Sequence, residues 1–212
     1  MHATRIIAVR HGETAWNVDT RIQGHLDIPL NDTGLWQADQ LGRALAGEAI
    51  AAIYTSDLQR AHATAHAVAR ATGAPLRPEP GLRERSFGHF QGRTFAEIQA
   101  ELPEDARRWR TRDPHYAPEG GESLVTLRDR IGRTVTALAA RHPGEQIVVV
   151  AHGGVLDVLY RLATRQDIQA PRTWQLSNAA INRLLWTEGG LALVGWADTQ
   201  HLDSAARDET HT

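Results

Sequence analysis

Arg5-Ile6-Ile7-Ala8-Val9, running into Arg10-His11-Gly12, has a counterpart late in the chain. Gln146-Ile147-Val148-Val149-Val150 runs into Ala151-His152-Gly153-Gly154. Both are short unbroken apolar runs rich in β-branched residues, the pattern of a central strand buried on both faces. Both stop at a histidine followed by glycine, so the two strands are expected to deliver imidazoles to the same edge of one sheet.

Outward from these strands the pattern alternates. Asn31 or Thr33 is expected to cap a helix carrying Leu35, Ala38, Leu41 and Leu45 on one side. Residues 51–54 read as a short strand. Ser56, with Gln59 three residues on, reads as a capping box for an alanine-rich helix to about Thr72, and residues 75–79 add a short edge strand. After Ser123, Leu124, Leu127, Ile131, Val135 and Leu138 recur at helical intervals, predicting an amphipathic helix that ends near His142-Pro143-Gly144. Another helix follows Gly154, with Val155, Leu156, Val158, Leu159 and Leu162 on its apolar side. Residues 181–186 and 191–196 pair as antiparallel strands around Glu188-Gly189-Gly190. Strands alternating with helices predict one domain over residues 1–212, a three-layer α/β/α sandwich. Its central sheet is mostly parallel and, through the late hairpin, mixed.

Residues 87–122 have a different texture, mixing four glycines, three prolines and many charges with helix formers. They predict a small helical excursion that caps the strand ends and governs what enters. Its Arg107, Arg108, Arg110 and Arg112 have two readings, contacts to an acidic substrate or a solvated face paired with Glu104, Asp105 and Asp113. Residues 197–212 are polar and expected to be a flexible tail.

Composition narrows the chemistry. The 212 residues include 11 histidines and no cysteine, which excludes disulfides, thiolate chemistry and cysteine-held metals. The balance of 23 basic against 25 acidic residues argues against a broad nucleic-acid-binding field. No window is apolar enough to span a membrane, and MHATRIIAVR lacks the apolar stretch of a secretory signal. A cytoplasmic protein without nucleic-acid or membrane partners is therefore expected. His62 and His66 stand four apart on a predicted helix, but they lack the glutamate of a zincin motif and lie beside Arg60. Neither a metal nor a cofactor is expected.

Ligands of layered α/β folds gather beyond the carboxyl ends of the strands. There the order of elements brings Arg10 and His11, then Ser56, Asp57 and Arg60, then Glu84 in the loop 81–85, then His152 and Gly153 at a helix start. Two arginines, two histidines, helix N-terminal donors and one carboxylate suit an oxyanion, phosphate best.

Arg10-His11-Gly12-Glu13-Thr14 is followed in order by Asn17, Gly24, Leu30 through Gly34 and Gln37-Ala38. Then come Tyr54-Thr55-Ser56-Asp57-Leu58, Arg60-Ala61, Thr64-Ala65, Leu82, Glu84, Phe87-Gly88 and Gly92. Glu119-Gly120-Gly121-Glu122-Ser123, Val150-Ala151-His152-Gly153-Gly154, Asn178 and Asn182 complete the set. This ordered series resembles the histidine phosphatase superfamily, the phosphoglycerate mutase-like enzymes, over nearly the whole chain. The short stretch between Glu84 and the 119–122 block is similar to the phosphatase-type members.

The resemblance implies His11 as the nucleophile that becomes phosphohistidine. Arg10, Arg60 and His152 would surround the transferring phosphoryl group, with Asn17 and the Gly153 backbone as further donors. Glu84 would be the proton donor, while Gln23 and Ser56 are weaker candidates for phosphate or substrate contacts. The implied activity is metal-independent hydrolysis of a small phosphorylated metabolite. Mutase-type transfer and non-catalytic phosphometabolite binding are the alternatives, and a homodimer is left open. The chemistry is coherent: a neutral imidazole attacks phosphorus, fixed cations match charge on the equatorial oxygens, and a carboxyl group serves first as acid and then as base.

Overall fold

The computed structural model describes residues 2–203. The element order is β1 (Thr4–Arg10), α1 (Ala15–Val18), α2 (Asp32–Leu45), β2 (Ala52–Thr55), α3 (Gln59–Thr72) and β3 (Leu76–Pro78). There follow α4 (Phe95–Glu101), α5 (Pro103–Arg110), α6 (Leu124–Ala139), β4 (Gln146–Ala151), α7 (Gly153–Thr164), β5 (Ile181–Thr187), β6 (Gly190–Asp198) and α8 (Gln200–Asp203). The sheet runs β3-β2-β4-β1-β5-β6. The first four strands pair in parallel, whereas β5 and β6 are antiparallel. The molecule is thus the α/β/α sandwich with a mixed, mostly parallel sheet that the alternation predicts.

The apolar runs of β1 and β4 are continuous because both faces are covered. Ile6, Ala8, Ile147 and Val149 pack with Leu127, Ile131 and Val135 of α6 and Val155 and Leu159 of α7. Ile7, Val9, Val148 and Val150 pack on the other face with Leu41 and Leu45 of α2 and Ala61, Ala65 and Val68 of α3. The excursion carries a core of its own, in which Phe90, Ile98, Ala106 and Tyr116 pack with Phe87 and Trp109.

One local alternative is decided and two expectations are corrected. Asn31, not Thr33, caps α2 by accepting from Gly34 N–H. Leu35 is not on the buried face of that helix: it is 52% exposed, because α2 packs through Gly34, Ala38, Leu41, Gly42 and Leu45. The capping box at Ser56 is absent, since Leu58 occupies the N-cap of α3 without a side-chain hydrogen bond. Ser56 turns its hydroxyl elsewhere, toward His152.

The expectation of a flexible tail from position 197 is corrected for residues 197–203. Ala197 and Asp198 complete β6, and α8 packs against α2. Ala197 N–H donates to Asn182 Oδ1, and His201 Nε2 reaches the Ala179 carbonyl, which ties this segment down. Residues 204–212 lie outside the described residues.

Candidate active site

Strand register brings the histidines together. Arg10 is level with Ala151 in the parallel β1–β4 pair, so His11 and His152 emerge side by side. Their ring centroids are 5.3 Å apart. Backbone bonds clamp the first loop: His11 N–H donates to the Ala151 carbonyl, Gly12 N–H to Thr64 Oγ1, and Asn178 Nδ2 to the His11 carbonyl.

Both imidazoles are buried, and burial together with the arginine charges pushes both pKa values well below 6.5. Desolvation is the main cause in each, followed by Arg10 and Arg60 for His11 and by Arg60 for His152. The rings are therefore neutral near pH 7, and their partners assign the tautomers. His11 Nδ1 lies 2.7 Å from the Gly12 carbonyl, which can only accept, so Nδ1 carries the proton and Nε2 keeps its lone pair. His152 Nε2 lies 2.8 Å from Ser56 Oγ, which already accepts from Leu58 N–H. The one proton of Ser56 is free for His152 Nε2, and that arrangement leaves Nδ1–H as a donor. That nitrogen is buried and has no hydrogen-bond partner among the described residues.

The arginines are prepared in the same way. Arg60 donates to the Leu26 and Gly24 carbonyls and Arg10 to the Leu176 carbonyl. The Nε of each is buried and without a partner among the described residues. Burial lowers both pKa values, that of Arg60 to about 10, which still leaves it charged at neutral pH. Asn17 Oδ1 accepts from Thr14 N–H and Gln23 Oε1 from the Thr14 hydroxyl, so the amide nitrogens are the ends left for an anion.

Glu84 approaches from the far side. Its carboxylate accepts from Gly154 N–H at 3.0 Å and Arg85 N–H at 2.7 Å, against the N-terminus of α7. Its loop is wrapped around Arg130, whose guanidinium donates to the carbonyls of Gly81, Arg83 and Glu84 and pairs with Glu122. A Cβ at Gly154 would run into Glu84 Oε1, so the motif's second glycine is the space the carboxylate needs. Gly153 lies within reach of Arg10 and Glu84 at the same helix start.

A cleft of about 470 Å³ opens over Arg10, Gly153 and Gly154, walled by Arg85, Phe87, Trp109, Arg112, Asp157 and Arg172. It continues into an outer recess of about 340 Å³ lined by Arg85, Arg110, Arg112 and Arg172 with Phe95, Trp109 and Leu124, and by no carboxylate. The four excursion arginines divide. Arg107 pairs with Glu104 and Arg108 with Asp113, the solvated reading, while Arg110 and Arg112 face the recess. A larger groove of about 790 Å³ between α2 and α3 contains His62 and His66, yet it lies away from the buried anion-seeking nitrogens. Among the described residues no three His, Asp or Glu side chains gather as metal ligands, and no helix is long and apolar enough to cross a membrane.

Arg85, Arg130, Asp157 and Arg172 escaped the reading of the sequence. Arg85 had a signal, its adjacency to Glu84; the others reach the site only through tertiary packing.

Such a pocket, two neutral histidines between buried arginines at parallel strand ends, has the charge and the donors that suit a phosphoryl group. The chain belongs to the histidine phosphatase superfamily (branch 1), whose profile matches residues 6–199. It is 38% identical over 202 residues to phosphoglycerate mutase-like protein 4 of Arabidopsis thaliana, covering 93% of this chain and 86% of that one. It is 37% identical over 204 residues to the metal-independent phosphoserine phosphatase of the same plant, covering 95% and 84%. The solved structure of Bacillus stearothermophilus YhfR superposes with a TM-score of 0.86 at 31% identity, covering 94% and 99%. The protein is an enzyme of this superfamily, of the phosphatase type and with mutase-type relatives.

Proposed function

We propose that the chain hydrolyses the phosphomonoester of a small organic acid through a phosphohistidine on His11. The observation that carries this reading is the pairing of an unprotonated His11 Nε2 with unpartnered donors on Arg10, Arg60 and His152. Nε2 attacks phosphorus as the bond to the ester oxygen breaks, and Glu84 in its acid form gives that oxygen a proton. Glu84, now a carboxylate, takes a proton from water, whose oxygen attacks phosphorus and breaks the P–N bond. Arg10, Arg60, His152, Asn17, Gln23 and the Gly153 N–H bind the phosphoryl oxygens and match their charge in the transition state. Ser56 positions His152 through its hydrogen bond.

The acid group is inferred from the outer recess, which four arginines and no carboxylate line, Arg112 being paired with Asp157 from the adjoining cleft. Residues 87–122 supply two of them and act as the specificity cap. The phosphoserine phosphatase among the relatives acts on such an acid by its name. Mutase-type transfer shares the first half-reaction and differs only in which oxygen attacks the phosphohistidine.

The test is a phosphomonoester panel followed by free phosphate, beside an isomerisation assay from 3- to 2-phosphoglycerate with and without 2,3-bisphosphoglycerate. Phosphate release should dominate, and His11→Ala should abolish both turnover and phosphohistidine labelling. Isomerisation exceeding release would make the chain a mutase. Tight phosphate binding without turnover would make it a binding protein.

A further inference from the structure

Asp157 is a buried carboxylate that the phosphoryl-transfer steps do not use. It lies on α7 one turn beyond Gly153 and therefore on the same face of the helix, in the wall of the cleft. One oxygen, Oδ2, accepts from Arg112 Nη2 and from Arg161 Nε, each at 2.9 Å. The two cations come from different directions, Arg112 from the segment after α5 and Arg161 from the next turn of α7, and together they fix the plane of the carboxylate. The side chain is only 8% exposed. The other oxygen, Oδ1, is buried and has no hydrogen-bond partner among the described residues.

A carboxylate oxygen removed from water without a donor is costly. It is worth keeping where a bound molecule supplies the donor. Arg85, Arg112 and Arg172 line the same cleft; a carboxylate oxygen can only accept, so a group that meets Oδ1 has to be a hydrogen-bond donor.

We propose that Asp157 is a specificity-determining residue whose Oδ1 accepts a hydrogen bond from a hydroxyl or ammonium group of the substrate. This rests on the phosphomonoesterase reading and narrows it: the preferred substrate carries a donor group between its phosphate and its acid. A substrate lacking that donor leaves Oδ1 unpaired in the complex. A site built to hydrogen-bond a polar group rejects the analogue without it far more strongly than an apolar pocket does.

Three esters that share a skeleton make the test: 3-phosphoglycerate with a hydroxyl, phosphoserine with an ammonium group, and 3-phosphopropionate with neither. Wild-type kcat/KM for at least one donor-bearing ester should exceed that for 3-phosphopropionate by about tenfold or more. Whichever ester is favoured identifies the donor. In Asp157→Asn the amide oxygen still faces Arg112 and Arg161, which puts NH2 where Oδ1 stood and turns an acceptor into a donor. The preference ratio should then fall to about one, and because it is a ratio it is insensitive to a uniform loss of activity. A wild-type ratio near one, or an unchanged ratio in the variant, overturns the proposal while leaving hydrolysis intact. If no ester turns over, the hydrolase reading fails separately. Calorimetric binding of the three esters to the wild-type protein then decides: the same preference supports the role of Asp157, and equal affinities reject it.

Discussion

At the scale of single residues, the site depends on two imidazoles kept neutral by position. His11 and His152 have pKa values pushed well below 6.5, first by burial and then by the neighbouring guanidinium groups. The unfolded chain has no such constraint, so below about pH 6.5 it binds protons that the folded protein refuses. Stability therefore rises with pH up to about 6.5, levels off above it, and is lost on acidification from that point. Carboxylates whose pKa values are lowered by partners, such as Glu48 and Asp57, titrate further down. His201, also lowered by burial, adds to the same upper window. Thermal unfolding of wild type should consequently fall between about pH 6.5 and 5, and His152→Gln should flatten part of that slope. An unchanged slope would mean that His152 titrates in the fold as it does in the unfolded chain. The tautomer has its own readout: nitrogen NMR near neutral pH should place the proton of His11 on Nδ1 and show Nε2 unprotonated. A doubly protonated ring in the free protein would remove the nucleophile.

At the scale of elements, the start of α7 concentrates the design. Its first turn offers backbone donors, its N-cap is His152, and Gly154 leaves room for Glu84. Gly154→Ala would press a methyl group on the carboxylate, which can swing away because it is the end of a flexible side chain. The fold should survive while the proton donor is displaced. Turnover of alkyl phosphates should fall about 10²-fold, with a much smaller loss for p-nitrophenyl phosphate, whose leaving group needs no proton. Glu84→Gln should give the same leaving-group pattern, and equal losses across the series would count against the acid role. The same elements show what could be read in advance. β1, β4 and α6 were legible because burial on two faces demands continuous apolar residues and burial on one demands helical spacing. The β5–β6 hairpin was blurred by register shifts around Arg183, which break the alternation. The capping box expected at Ser56 fails because the serine's hydroxyl has a stronger claim on it from His152, some hundred positions away in sequence. His11, Arg10 and His152 were visible as residues that end buried strands. Arg130, Asp157 and Arg172 were not, since no local pattern marks a side chain whose partners come from another element.

At the scale of the whole molecule, two cores lie against the sheet and a third lies beneath the excursion. The two large cores share β1, β2 and β4 and hold the phosphoryl site rigid. The small one is organised around Trp109, which stacks on Phe87 and Phe90 with centroids 5.3 Å away in each case and meets Phe95 edge-on at 6.0 Å. That indole also walls both the cleft and the outer recess, so the packing of the cap and the shape of the pocket depend on one side chain. Several ties cross to the body: Ile22 exchanges backbone bonds with Gly92 and Arg93, His25 N–H donates to Gln91 Oε1, Arg130 pairs with Glu122 and Gln169 Nε2 donates to the Thr111 carbonyl. Arg112 reaches Asp157 and the Ile168 carbonyl, and Arg21 reaches the Gly92 carbonyl and Glu97. A cap with its own small core should open as a unit at lower free energy than the sheet. Trp109→Ala should cost that unit about 2 kcal/mol, less than full burial of the ring would imply because the indole is only half-buried. Hydrogen exchange should accelerate across 88–118 while β1 and β4 keep their protection, and KM for acidic phosphomonoesters should rise more than kcat falls. Equal loss of protection in β4 and in the cap would show instead that the excursion is a cooperative part of the sandwich. Its arginines would then be fixed features of the site and not elements of a separable lid.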